Sequence, residues 1–207
     1  MKSDIFKATD ELAEELLRLI DLPLFDGSQR LAVSNVACSL SFEHWVATRR
    51  LLETGLFSSA VVVHRAQFEA LLRSMWILYL ASDEQLSKLA AELTIETEQG
   101  AKNLPLVADM MSALSKKGPP QAYDALNRFK ENSWKALNSY AHAGIHPIRR
   151  HDAEGYPTQL IESVTKNANG LAIVGAMQAV VLSGVQPLQR KILDLAAQYP
   201  GCMPPPL

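Results

Sequence analysis

Residues 60–81 read AVVVHRAQFEALLRSMWILYLA, and the fold turns on how this stretch is read. Drawn as a helix, it is apolar on almost every side: Val61, Val62, Val63, Phe68, Leu71, Leu72, Met75, Trp76, Ile77 and Leu78. A helix of that kind belongs inside protein or inside lipid. Arg65, Glu69 and Arg73 decide between the two, because charges within the hydrocarbon core are costly. The stretch therefore reads as the centre of a helical bundle. VVV at 61–63 is the one strand-like triplet, and helical pattern surrounds it. A second apolar run, LAIVGAMQAVVLSGV at 171–185, is shorter than the roughly 20 residues a membrane span requires. Neither stretch is expected to span a membrane.

Helical periodicity continues outward in both directions. Ile5, Ala8, Leu12, Leu16 and Ile20 form an apolar stripe on a first helix. Ser28 is a suitable N-cap for a second helix reaching about Glu53, where Gly55 stops it. Ser58 or Ser59 is expected to cap the central helix. Ser82 with Gln85 makes a capping box for a fourth helix, with Leu86, Leu89 and Leu93 on its apolar side. A short fifth helix follows Pro105 and ends at KKGPP. A sixth runs from about Gln121 to Ala143, with Gly144 as its C-cap, and GIHPIRRHDAEGYP reads as a surface loop. Thr158 is expected to cap a last helical region reaching about Gln198, kinked or split by Gly170, Gly175, Gly184 and Pro187. No segment alternates as a strand does. The expectation is one all-α domain over residues 1–207: a bundle of six or seven long antiparallel helices with short loops, and a Pro-rich tail at 200–207. Gly175, Ala179 and Ser183 form a small-residue ridge, which fits a homodimer contact or close internal packing equally well.

Composition narrows the function classes. Hydrophobic residues make up 48% of 207, enough for a core without disulfide or metal staples. A net charge of −2 gives no global field that draws in nucleic acid. The two cysteines, Cys38 and Cys202, make neither a disulfide framework nor a zinc site, and a reducing cytoplasmic setting is expected. The first twenty residues carry acids throughout and lack a continuous apolar core, unlike a secretory or transit peptide. There is no E-x-x-H pair, H-E-x-x-H, Walker loop, G-x-G-x-x-G or G-x-S-x-G, and no helix-turn-helix with a basic recognition helix. No cofactor or metal is expected.

Two polar constellations remain. Arg65, Glu69 and Arg73 recur every four residues and share one face of the central helix, so Glu69 can reach both arginines. Such a face is a structural ion triad, a solvent-facing edge, or a site where guanidiniums bind phosphate or carboxylate. The second is NSYAHAG, residues 138–144. Lys135, Asn138 and His142 lie along one face, and small neighbours leave His142 uncovered. His142 in a last turn suits the helix dipole, and it also suits acid–base chemistry. His146, Arg149, Arg150 and His151 form a basic cluster just beyond it. His64 and His44 are expected to be hydrogen-bonded core or boundary residues.

HRAQFEALLRSMWILYLA, residues 64–81, and ALNSYAHAG, residues 136–144, together resemble bacterial helical families of unknown function related to the HEPN superfamily. The resemblance spans roughly residues 30–150. It implies a helical bundle, often dimeric, of the kind found as metal-independent RNases in toxin–antitoxin and defence systems. The HEPN signature places an arginine a few residues before the histidine. Here positions 135–137 read Lys-Ala-Leu, so Lys135 keeps the charge without the bidentate fork. On this resemblance His142 is the acid–base group, Glu69 and Asn138 orient the site, and Arg65, Arg73 and Lys135 bind phosphate of RNA or a nucleotide. The other expectation is a non-enzymatic domain that binds a cognate protein partner, with the Arg65–Glu69–Arg73 triad and His142 tying two helices together.

Overall fold

The computed structural model describes residues 4–205, apart from the side chains at 101, 153 and 154. Among them there are ten α-helices and no strand: α1 (Asp4–Leu19), α2 (Gln29–Glu53), α3 (Phe57–Tyr79), α4 (Asp83–Ala90), α5 (Ile95–Gly100), α6 (Val107–Lys117), α7 (Pro120–Ala141), α8 (Ile145–Arg149), α9 (Thr158–Leu182) and α10 (Leu188–Gln198).

The central layer is α2, α3 and α9. The three-residue link 54–56 turns α2 back on α3, and Gly55 supplies the left-handed residue (φ +80°) that the turn requires. The facing positions are small and polar. Ser34 and Ser74 each donate to the other's backbone carbonyl at 2.9 Å, and the Gln178 amide from α9 donates to both hydroxyls at 3.4 and 3.3 Å. Further along, Ser41 donates to the Gln67 carbonyl, and the Gln67 amide donates to the Ala168 carbonyl of α9. Trp45 donates its indole N–H to Asn169 Oδ1. Because indole only donates, this fixes the Asn169 amide, whose N–H groups reach Thr9 Oγ1 and the Cys202 carbonyl. These pairings set α2 antiparallel to both α3 and α9. All these polar residues are buried, and each finds its partner inside the bundle.

Two apolar clusters flank this layer. Phe68, Leu71, Leu72 and Met75 of α3 pack with Met110, Met111 and Leu114 of α6 and with Leu126, Phe129 and Leu137 of α7. On the other side, Leu12 and Leu16 of α1 pack with Ala172, Ala176 and Val180 of α9 and with Ile192 and Leu195 of α10. The tail joins this second cluster: Cys202 is fully buried, and Pro204 sits so close to Gly170 that a Cβ there would lie 2.9 Å from its ring. Residues 206 and 207 of the expected tail lie outside the described residues.

The expected count of six or seven helices is corrected to ten, for local reasons. The fourth helix stops at Ala90 because Ala91 turns extended, and Thr94 and Thr97 exchange side-chain to backbone hydrogen bonds that start α5. The presumed surface loop holds the single turn α8 and a π-helical turn, Arg150–Glu154. The last helical region splits between Leu182 and Leu188, where Gly184 is left-handed (φ +69°) and Pro187 follows. Gly170 and Gly175 interrupt nothing. Gly175 instead admits the Phe42 ring of α2, which would lie 3.3 Å from a Cβ there, so the ridge serves internal packing at this position. Ser28 and the Ser82–Gln85 box cap as expected. None of Ser58, Ser59 and Thr158 caps its helix: α3 begins after Leu56 and α9 after Pro157, both without a side-chain cap.

Arg30, in the first turn of α2, closes the far end of the α2–α3 pair. Its Nη1 donates to the carbonyls of Ile77 and Ala81 at 2.7 and 2.8 Å, and its Nη2 pairs with Asp83 at 2.9 Å. A cation there satisfies orphan carbonyls at the end of α3 and favours the helix dipole. Arg30→Ala is expected to lower stability by about 1–3 kcal/mol, read as a lower urea midpoint with unchanged slope.

Candidate functional site

The half-exposed part of α3 that carries Arg65 faces the C-terminal half of α7. Trp134, Asn138 and His142 follow one another at intervals of four on α7, so they form one stripe. The Arg65 guanidinium lies along it, with its carbon 4.9 Å from the centre of the Trp134 ring. Its Nε donates to Glu69 Oε1 at 2.7 Å, and its Nη1 is 3.5 Å from His142 Nε2. If Arg65 donates, His142 keeps its Nε2 lone pair towards the arginine and carries its proton on Nδ1. At 3.5 Å this contact is long, so an anionic oxygen can take its place cheaply.

The six residues singled out in the sequence divide into two groups. Arg65, Glu69 and His142 meet, while Asn138 is half-buried between Trp134 and His142, its carbonyl receiving the His142 N–H at 3.1 Å. Lys135 is exposed on the same side of α7, seven residues or about two turns before His142. Arg73 is elsewhere. It stacks on Trp76 at 5.2 Å and donates to the Pro105 carbonyl at 2.8 Å, and its Nη1 is buried without a partner. Burial lowers its pKa while the Glu69 charge opposes that, and the hydrogen bonds of Glu69 go to Arg65. The sequence alone did not mark Trp134 as part of the site. Its spacing of eight from His142 was the available signal.

The turn after α7 aims the histidine. His142 is the C-cap, and the left-handed residue that follows is Ala143 (φ +49°), not the expected Gly144. The Gly144 N–H reaches back to the Ser139 carbonyl at 2.7 Å, which makes a Schellman closure. Gly144 is needed for another reason: a Cβ there would lie 2.6 Å from Ser139 Oγ. That hydroxyl accepts the His146 N–H at 3.1 Å. His146 stacks near Tyr140, and at the far end of the segment Tyr156 hydrogen-bonds Ser58 and packs on Phe57. The basic segment is thus pinned at both ends. Burial and the neighbouring Tyr156 raise the Tyr140 hydroxyl pKa, and the Arg150 charge counters them.

His64 is a core residue. It is fully buried, its Nδ1 lies 3.0 Å from Gln67 Oε1, and Phe129 meets it edge-on. Burial pulls its pKa down to about 4, against the opposing pull of the Gln67 bond. A shallow depression of about 430 Å³ between α1 and α10, lined by Glu15, Arg18, Leu19, Leu195 and Gln198, shares no residue with the Arg65–His142 cluster. Among the described residues, no group of three or more His, Cys, Asp or Glu is placed to hold a metal ion, and no helix is long and apolar enough to cross a membrane.

These features define an all-helical protein with an arginine, a glutamate and a histidine gathered where two helices meet. Over residues 38–205 the chain matches the model of a family of unknown function, DUF6988, and it belongs to that family. No curated protein and no solved structure matches it.

Two predictions follow from this geometry. Unfolded chains bind the His64 proton near pH 6.5, whereas the folded protein resists it down to about 4. Stability held above pH 6.5 is therefore lost as pH falls through that window, by about 3 kcal/mol at its foot. His64→Leu should flatten this part of a urea-midpoint against pH profile. Ala143→Gly should raise stability by about 1 kcal/mol, and Gly144→Ala should lower it, both read by thermal melting.

Proposed function

We propose that the protein binds phosphate of RNA or a nucleotide at the Arg65–His142 cluster and acts as a metal-independent endoribonuclease. In this reading it is an HEPN-like member of a bacterial defence or toxin–antitoxin system, works in the cytoplasm and forms a homodimer. The observation that carries it is the approach of Arg65 Nη1 to His142 Nε2, 3.5 Å apart although 77 residues separate them in the chain. Phosphodiester cleavage without a metal needs a group that moves a proton beside a fixed positive charge. His142 Nε2 takes the proton of the ribose 2′-hydroxyl, whose oxygen attacks the adjacent phosphorus. The 5′-oxygen leaves and takes up a proton, so the products end in a 2′,3′-cyclic phosphate and a 5′-hydroxyl.

Arg65 balances the charge that builds on the phosphate oxygens, and Glu69 holds its guanidinium in place. Lys135 adds a second positive charge on the same face, and Asn138 positions the ligand. Arg73 is left out of this site, because its guanidinium serves Pro105. The arginine that the HEPN signature expects on the histidine's own helix is supplied here from α3.

A second reading has its own observation. Arg65 is engaged by Glu69, Trp134 and His142 together, as a structural tie between α3 and α7 would be. In that case the domain binds a protein partner and has no activity. His142→Ala separates the two. His142 is exposed, so under the site reading its loss changes stability by less than about 0.5 kcal/mol. Under the tie reading it destabilises and there is no cleavage to lose. Incubation with RNA in excess chelator should give cyclic-phosphate ends, at a rate that falls at least about 100-fold in His142→Ala. RNA left intact by the wild-type protein would overturn the enzymatic reading.

A further inference from the structure

The face of α3 that carries Arg65, Glu69 and Arg73 is bordered by two exposed segments of opposite charge. At its N-terminal end Arg65 touches His142, where α7 runs into α8. Lys135, His142 and His146 are exposed there, and Ile145 and Ile148 stand 71% and 61% exposed beside them. No acid occurs between Lys135 and His151. About 12 Å further along α3, Arg73 holds the Pro105 carbonyl, which fixes the end of the second segment to the same face. That segment, residues 91–106, contains Glu92, Glu96 and Glu98, all exposed, against a single lysine, Lys102. Three of its apolar residues are equally uncovered, Leu93 at 86%, Ile95 at 71% and Leu106 at 74%, while Leu104 packs against the core. α5, which it contains, has no buried residue.

Large apolar side chains grouped with one sign of charge mark a contact surface, and here two such groups are complementary. They cannot meet within one chain, because the length of α3 between Arg65 and Arg73 separates them. Two chains related by a twofold axis near Glu69 bring each group against the other twice, as a closed isologous contact requires. We infer that residues 91–106 of one copy dock on the Lys135–Ile148 surface of a second copy. The inference rests on the homodimer named above and assigns its interface. Lys135 and His142 then face the second copy's glutamates, so a phosphate ligand and the dimer contact compete for the same side chains.

The test is light scattering on the purified full chain at about 100 μM, with circular dichroism to confirm the fold. The wild type should have the mass of a dimer. Glu96→Lys with Glu98→Lys, and separately Lys135→Glu with His146→Glu, should each weaken dimerisation at least about tenfold, since like charges then face each other at both contacts. An equimolar mixture of the two variants should recover the dimer, because both contacts are again complementary. A wild-type monomer would overturn both the homodimer and its interface. A wild-type dimer that both reversals leave intact, or a mixture that stays monomeric, would overturn this interface and leave the homodimer standing.

Discussion

Ser34 and Ser74 each donate to the carbonyl of the other's helix, and Gln178 donates to both hydroxyls. The rest of the bundle is arranged around this exchange. It demands that α2, α3 and α9 approach closely, which only small side chains permit. It also leaves none of these buried hydroxyls without a partner, the condition under which polar groups are tolerated in a core. Each bond contributes only about 1 kcal/mol net. Their greater effect is on register, because a helix shifted along its axis would leave several buried donors unmet at once. Gln67 with Ala168, and Asn169 with Trp45, repeat the same lock further along.

Fixing that register decides where the chemistry lies. α3 is buried on the sides that meet α2, α7 and α9, so its charges must sit on what remains. Arg65, Glu69 and Arg73 occupy that remaining face, and the C-terminal end of α7 borders it at the level of Arg65. That approach brings Trp134 and His142 against one guanidinium. Arg73 lies two turns away and meets Pro105, so two arginines of the same spacing and the same helix have different work. The triad that looked like one network is an Arg65–Glu69 pair reaching α7 and an Arg73 that anchors the 91–106 segment.

Much of this was legible in the sequence, and the gaps have physical causes. The all-round apolar pattern of residues 60–81 placed α3 at the centre, and the three charges at fours ruled out lipid. Ser28 and Ser82 marked true helix starts because their side chains satisfy orphan N–H groups. Ser58 and Thr158 misled, because α3 begins after Leu56 and α9 after Pro157, neither with a side-chain cap. The breaks that raised the helix count depend on single turns near Ala91 and in residues 145–154, too short to leave a periodic signal. The partner of Arg65 could not be read at all: nothing local specifies which helix crosses α3 at that level. Gln67, Gln178 and Asn169 went unnoticed for the same reason, since a lone amide in an apolar run shows its purpose only once the carbonyl or indole opposite is known.

The turn after α7 shows how a residue apparently in the wrong place orients the histidine. A left-handed residue usually favours glycine, and the non-glycine strain at Ala143 is about 1–2 kcal/mol. The glycine stands one position later because Gly144 passes directly over Ser139, where a side chain would collide with the hydroxyl. With glycine at 144, Ser139 can receive the His146 N–H and hold the start of α8 against the end of α7. That closure ends α7 at Ala141 and makes His142 the cap, no longer constrained by helical dihedrals (φ −114°, ψ 23°). As the cap it ends the α7 stripe, with its Nε2 3.5 Å from Arg65 Nη1. Strain at Ala143 and close packing at Gly144 are thus two halves of one device that points an imidazole at a guanidinium.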